Sequence, residues 1–292
     1  MLRVRDLKVC SLDLAFHEVS WALDDTAEDV FDYTFQVLRS ESAMGPFEPV
    51  SQVFTDRYVF VDNVLQVANR WRIYFYKILV THKASGRSEE FGPASKEPQP
   101  DLYAMEIRRH VMLLFQEHAG RRCWLLPART FGQRCGCWDP YKQKRTRSGC
   151  RLCFDTGFVR GYLHPIEIWG QIDPAPKAEQ TTNVGAQQQV NTTARFGAFP
   201  PIKPRDVIVE AENKRWRVVL VAQTEKARAR IHQEPSLHAI PEKDIEFAIP
   251  LELGAALRDL WISPRRNFSN PSSTASFSND VFNLYTDPFT RT

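Results

Sequence analysis

Apolar and polar positions alternate in the N-terminal part of the chain, a period of two that is typical of half-buried strands. Residues 31–38 show this alternation, and residues 71–80 form a longer run of aromatic and branched side chains. A short strand at 58–63 and turn-forming residues at 40–47 lie between them. The recurrence of short strands and turns predicts a β-sandwich over residues 1–95.

A helical period follows the predicted sandwich. After a break at Pro98 and Pro100, Asp101 is the predicted N-cap and Gly120 the residue just past the helix end. The apolar stripe expected along this helix comprises Tyr103, Ile107, Val111 and Leu114. Residues 96–130 are therefore predicted to contain a linker and the one principal helix.

The strand pattern returns in residues 131–262. Strands are predicted at 156–162, 165–172, 206–211, 215–223, 229–232 and 244–249. Residues 176–200 are polar and weakly patterned, which indicates a long loop or hairpin. This part is predicted to be a domain with a small antiparallel β unit.

Residues 263–292 depart from globular composition. They are rich in Ser, Asn and Pro, and such a segment cannot bury enough apolar surface to fold alone. The stretch is predicted to be an extended or disordered C-terminal arm. Its candidate anchors for docking on a neighbouring subunit are Phe268, Phe277, Phe282, Tyr285 and Phe289.

Four of the six cysteines fall within nineteen positions. Cys135 and Cys137 form a Cys-x-Cys pair, a twelve-residue insert follows, and Cys150 and Cys153 form a Cys-x-x-Cys pair. Two short knuckles of this kind bring four sulfurs to one metal ion. Gly136 and Gly149 stand where such tight turns favour a residue free to adopt positive φ.

Two disulfides, or four buried thiols, are the alternative interpretations of the cysteines. The opening residues lack the apolar segment of a signal peptide, so we expect a reducing cytosol, in which persistent disulfides are uncommon. The spacing therefore predicts a Zn²⁺ site. Because four cysteines leave no open position for water or substrate, we expect this Zn²⁺ to be structural. Pairing of Cys10 with Cys123 stays open at this point.

Composition bounds the remaining possibilities. With 292 residues, 43% hydrophobic and 25% charged, the chain has material for two or three cores. No apolar run approaches the length of a membrane span, so no membrane partner is expected. The sequence contains no phosphate-binding glycine loop, no nucleophile motif and no carboxylate pair whose placement indicates acid–base catalysis. We therefore predict no catalytic residue and no enzyme activity.

The net charge of +3 is small, but basic residues are concentrated around the cysteines. The candidates for contacts with phosphates or with a partner are Lys142, Lys144, Arg145, Arg147 and Arg151. Trp138 and Tyr141 are the aromatic residues of the insert that are candidates for stacking on bases.

The N-terminal part resembles a fibronectin type III domain. The resemblance is carried by Ser20-Trp21, Tyr33-x-Phe35-x-Val37-x-Arg39-Ser40, Gly45-Pro46-Phe47, Val61-Asp62, Tyr74-x-Tyr76-x-Ile78 and Gly86. It implies that Trp21 and the tyrosine-bearing strand lie in the core between two sheets. The resemblance also implies a role as a spacer or an interaction module, as is common for domains of this family.

A second resemblance covers residues 100–250. It is carried by Cys135-x-Cys137-Trp138-Asp139-Pro140, by Arg145-Thr146-Arg147-Ser148-x-Cys150-x-x-Cys153-x-x-Thr156-Gly157-Phe158-Val159-x-Gly161-Tyr162, by Arg215-Trp216-x-Val218 and by Ile245-Glu246-Phe247-x-Ile249-Pro250. This pattern resembles neck and collar proteins of tailed bacteriophages. It implies a structural subunit of a virion that is assembled in the host cytoplasm.

The leading hypothesis is a non-enzymatic ring subunit at the head-to-tail junction. Its expected partners are identical subunits, neighbouring portal, connector or tail proteins, and packaged DNA through non-specific charge. The alternative is a zinc-ribbon nucleic-acid-binding protein that uses the basic insert. An accessory module of a carbohydrate-active enzyme is disfavoured, because no acid pair is present.

Overall fold

The computed structural model describes residues 2–11, 17–24, 28–62, 72–95, 102–173, 178–182, 185–189, 191–226 and 229–251. These residues form mainly β-structure with one α-helix, as the sequence predicts. The predicted N-cap Asp101, the break at Pro98 and Pro100, and the predicted arm at 263–292 lie outside the described residues. No described helix is long and apolar enough to cross a membrane.

The N-terminal strands form two antiparallel sheets. The first contains β1 (Val4–Ser11), β2 (His17–Leu23) and β5 (Val59–Asp62), in the order β1-β2-β5. The second contains β3 (Tyr33–Ser40), β4 (Glu48–Pro49), β6 (Phe75–His82) and β7 (Ser88–Ser95), in the order β4-β3-β6-β7.

Alternation along these strands directs one side of each sheet into a common core. Val19 and Trp21 of β2 share one apolar cluster with Phe35 of β3 and Ile78 of β6. The Trp21 ring stacks on the Phe54 ring with centroids 6.0 Å apart. The predicted strands at 31–38, 58–63 and 71–80 correspond to β3, β5 and β6 with boundaries shifted by a few residues.

The helix α1 spans Leu102–Leu113 and continues as a π-helical turn over Leu114–Ala119. The stripe expected on the sequence is wrong: Tyr103 and Leu114 are largely exposed, and the buried side chains of the helical segment are Ala104, Met105, Met112 and Phe115. The Lys226 ammonium lies 4.5 Å from the centroid of the Tyr103 ring, so a cation–π contact partly covers this exposed ring.

Gly120 ends the helical segment, although not for the reason expected. Its backbone is extended, with φ −95° and ψ 161°. A Cβ at this position would lie 2.1 Å from the Phe115 carbonyl oxygen, so glycine is required by a close approach of backbone to backbone.

Six strands form a closed antiparallel barrel. They are β8 (Arg121–Leu126), β11 (Ile166–Ile172), β14 (Asn191–Gly197), β15 (Val207–Val209), β16 (Arg215–Lys226) and β17 (Ala229–Ala239), in the order β11-β14-β17-β16-β15-β8. Its core includes Leu125, Ile168, Phe196, Ile208 and Leu237. The sequence predicts a small antiparallel β unit here, and the structure shows that its strands close into a barrel together with β8.

Residues 176–200 contain the hairpin of β12 (Ala178–Thr182) and β13 (Gly185–Gln189), one of the two alternatives expected there, as well as β14. Two other segments differ from the expected elements. The strand predicted at 244–249 is wrong, because Ile245–Ala248 is a 3-10 turn whose Glu246 carbonyl accepts from the Arg215 guanidinium. The strand predicted at 156–162 is also wrong: it consists of turns with isolated bridges at Phe158 and Tyr162.

The chain divides into two compact units. One comprises residues 1–110, 128–164 and 225–231, and the other comprises residues 111–127, 165–224 and 232–292. Residues 131–162, which carry the four clustered cysteines and are called the cysteine segment below, therefore belong to the same unit as the N-terminal sheets. The sequence analysis grouped it instead with the strands that follow it, within 131–262.

Candidate metal centre

The first knuckle is a tight turn that carries Cys135 and Cys137. The Trp138 amide donates to the Cys135 carbonyl at 2.9 Å, and the Thr146 amide donates to the Cys137 carbonyl at 2.8 Å. These bonds direct both cysteine side chains inward, where both are buried. Gly136 does not adopt positive φ, so the expectation for this glycine is wrong.

The second knuckle carries Cys150 and Cys153. The Phe154 amide donates to the Cys150 carbonyl at 2.8 Å, and Gly149 has φ +73°, as the spacing predicts. Burial raises the pKa of the Cys150 thiol, but the amides of Leu152 and Cys153 donate to its sulfur and the net pKa falls to about 6. Amides that point at a sulfur favour the thiolate, the form that binds metal.

The four sulfur atoms form one compact cluster. The Cys135 and Cys150 sulfurs are 3.8 Å apart, the Cys137 and Cys153 sulfurs are 3.5 Å apart, and all four lie within 4.8 Å of one another. A tetrahedral ion with metal–sulfur bonds of about 2.3 Å requires sulfur–sulfur distances of about 3.8 Å. The four buried cysteines therefore lie close enough together to bind one metal ion. All four are free thiols, which excludes the two-disulfide interpretation for this structure.

Asp155 fastens the second knuckle to the insert. Its carboxylate accepts from the Gly149 amide at 3.0 Å and the Cys150 amide at 3.2 Å, and it pairs with the Arg145 guanidinium at 2.6 Å. Burial raises the pKa of this carboxyl, but the Arg145 and amide contacts outweigh burial and lower it below its usual value. The sequence analysis missed this role, although an acid in a glycine-bounded turn is a known acceptor for local amides.

Short backbone contacts join the two knuckles. The Cys135 amide donates to the Gly157 carbonyl at 3.0 Å, and Arg134 and Phe158 form an isolated bridge. The Arg134 guanidinium lies 4.4 Å from the Trp138 ring centroid and 4.1 Å from the Phe158 ring centroid. A cation between two aromatic rings holds the knuckles together independently of any metal.

Gly161 is required by the packing of the second knuckle. It has φ +64°, and a Cβ there would lie 2.5 Å from the Cys153 carbonyl oxygen. We expect Gly161→Ala to cost about 2 kcal/mol or more, because strain and a clash with backbone act together. Thermal unfolding and the rate of metal release to a colorimetric chelator measure this effect.

Gly136→Ala is the matched control for Gly161→Ala. Nothing lies within 4 Å of a Cβ at Gly136, and its φ is not positive. This variant should melt and retain metal as the wild type does. Equal behaviour of the two variants would contradict the steric account of Gly161.

The cysteine segment contributes residues to the core of the N-terminal sheets. Phe131 belongs to the sandwich cluster, and its ring meets the Tyr58 ring edge-on with centroids 4.8 Å apart. The Arg129 guanidinium pairs with the Asp56 carboxylate at 2.6 Å, and both side chains are more than nine-tenths buried. Asp56 also accepts from the Tyr58 hydroxyl at 3.0 Å. The sequence analysis missed this buried pair.

Contacts at Gly161 and Arg160 link the second cysteine knuckle to the residues that pack against the N-terminal sheets. The Arg129 amide donates to the Gly161 carbonyl at 2.9 Å, and the Arg160 guanidinium lies 3.4 Å from the Phe31 ring centroid. The residues that follow the second knuckle therefore position the residues that enter the sandwich core. The four-cysteine cluster and the N-terminal sheets therefore belong to one structural unit.

The five basic candidates have different environments. Arg145 is half-buried and paired with Asp155, whereas Lys142, Lys144, Arg147 and Arg151 are exposed. Trp138 packs against Arg134, while Tyr141 is 96% exposed. The candidate arm anchors Phe268, Phe277, Phe282, Tyr285 and Phe289 lie outside the described residues. Cys10 and Cys123 form no disulfide in this structure, which answers the open question about their pairing.

No protein-family model and no curated protein sequence matches the chain. The geometry of the four cysteines is therefore the observation that defines the site. All four candidate ligands in the described part of the chain are cysteine thiols, so the site is a closed four-cysteine centre.

Proposed function

We propose that the four-cysteine centre holds one structural Zn²⁺ ion. Four cysteine sulfurs at nearly tetrahedral separations support this assignment, because Zn²⁺ is commonly held by four thiolates in closed sites. The bound ion would join the two knuckles and neutralise part of the thiolate charge. Cys135, Cys137, Cys150 and Cys153 occupy all four positions, so the ion has no position for a reacting group.

The N-terminal sheets are proposed to be a fibronectin type III-like sandwich. Three strands on one side and four on the other, with Trp21 and Tyr76 in the shared core, support this likeness. The function that follows is that of a spacer or an interaction module.

The whole protein is proposed to be a non-enzymatic structural subunit of a tailed-phage virion. It would form a ring at the neck, collar or connector between head and tail. The observation that supports this proposal is that residues of the pattern that resembles such proteins pack around the four cysteines: the Thr156 hydroxyl donates to the Cys153 carbonyl at 2.8 Å, and Trp138 lies against Gly157. Residues with such roles maintain an architecture, which is what a ring subunit requires.

A ring makes a direct prediction about mass. Light scattering coupled to size-exclusion chromatography should give a single species whose mass corresponds to several copies of the 33.7 kDa chain, and electron microscopy should show closed rings. A variant that ends at residue 262 should keep its metal and fold but lose ring formation, because the arm is the proposed contact with the neighbouring subunit. A monomer at all concentrations, with or without the arm, would contradict the ring.

A further inference from the structure

A rigid β-hairpin separates the two cysteine pairs. Its strands are β9 (Trp138–Asp139) and β10 (Lys144–Arg145), joined by residues 140–143. The Asp139 carboxylate accepts from the Tyr141 amide at 2.9 Å and from the Lys142 amide at 3.2 Å. The backbone of the hairpin tip is thus fixed by its own hydrogen bonds before any partner binds.

The tip presents a large aromatic side chain to solvent. Tyr141 is 96% exposed, and the Lys142 side chain beside it is 69% exposed. Trp138 at the base of the hairpin is held by Arg134 and Gly157 and is not available in the same way. A tyrosine on a preorganised turn loses little conformational entropy on binding, which is the property of an interface anchor.

Basic residues outnumber acidic residues around the tip. Lys144, Arg147 and Arg151 are exposed and form no ion pair with any residue in the described part of the chain. Both acidic residues of the cysteine segment are engaged: Asp139 accepts from the turn amides and pairs with Lys142 at 4.0 Å, and Asp155 pairs with Arg145. The hairpin therefore offers uncompensated cations beside an exposed aromatic ring.

We infer that this hairpin tip binds single-stranded nucleic acid, with phosphates on Lys144 and Arg147 and an unpaired base stacked on Tyr141. Cations alone would suit any polyanion. An aromatic ring among them favours a ligand that carries both negative charge and flat rings, as a nucleic acid strand does. Arg145 and Lys142 are excluded from the contact set because they pair with Asp155 and Asp139. The inference does not rest on the virion proposal.

Fluorescence anisotropy of the full-length, metal-bound protein with a labelled mixed-sequence oligonucleotide tests this inference. Tyr141→Ala should weaken binding of the single strand about tenfold, because one stacked base is lost, and should change binding of the matching duplex little. The double variant Lys144→Ala/Arg147→Ala should weaken binding and reduce the slope of log K against log salt by about 1.4, since each phosphate contact contributes about 0.7 on a single strand.

The control removes the same charge elsewhere in the same unit. Lys8 and Arg87 are exposed residues of the N-terminal sheets, and Lys8→Ala/Arg87→Ala should bind as the wild type does. Metal content and melting temperature are measured on every variant, so that a folding defect is recognised. A variant that fails to fold is replaced by Tyr141→Ser or by Lys144→Gln/Arg147→Gln. Wild-type affinity of Tyr141→Ala, equal losses in the two double variants, or equal displacement by polyglutamate at the same charge concentration would each overturn the inference.

Discussion

Cys150→Ser should unfold the N-terminal sheets as well as the metal site. A structural Zn²⁺ in a four-thiolate site contributes on the order of 10 kcal/mol, which is comparable with the whole stability of a domain. Phe131 and Arg129 enter the sandwich core from the segment that the cysteines hold. Loss of the metal should therefore remove part of that core.

Hydrogen exchange resolved by segment is the measurement for Cys150→Ser. Amides of β2, β3 and β6 should lose protection, whereas those of β11, β14 and β17 should keep it, because the barrel has a separate apolar core. Cys10→Ser is the control, since Cys10 lies outside the cluster. Loss of protection confined to residues 131–162 would show that the sandwich is independent of the metal.

Arg129→Met should destabilise the protein by about 3–5 kcal/mol, because it leaves the Asp56 carboxylate buried without its cation. The pair is separated by 73 positions in sequence and by 2.6 Å in space, and it is buried on both sides. Asp56→Asn should also destabilise the protein strongly, because it leaves the permanently charged Arg129 guanidinium buried without its carboxylate. The double variant should be more stable than the sum of the single effects predicts.

Chemical denaturation of the four proteins of this cycle measures the coupling between Arg129 and Asp56. Arg72→Met is the control, because the Arg72–Glu41 pair is largely exposed and such pairs contribute little. Its transition should coincide with that of the wild type. Additive effects of Arg129→Met and Asp56→Asn would mean that the two side chains do not stabilise each other.

The local features of the metal site could be predicted from the sequence, because ligand spacing is local. Cys135, Cys137, Cys150 and Cys153 converge as their spacing indicates, and Gly149 adopts the expected positive φ. Strands with a clear alternation of apolar and polar residues could also be predicted from the sequence. For β3, every second residue was expected to face the core, and Phe35 and Val37 do so.

Features that depend on contacts distant in sequence could not be predicted in the same way. β8 is missed because four of its six residues are buried in succession, so it lacks the alternation of a half-buried strand. The Arg129–Asp56 pair leaves no local signal. The helix stripe fails because helical spacing fits more than one face, and only packing selects Met105 and Met112 over Tyr103 and Leu114.

The claim that one structural metal centre organises the cysteine segment is tested most directly by elemental analysis of the protein purified under reducing conditions without added metal. We expect about one zinc and no iron per chain, with loss of both zinc and the folded N-terminal sheets on prolonged chelation. Metal-free protein that melts at the same temperature as the purified protein would contradict it.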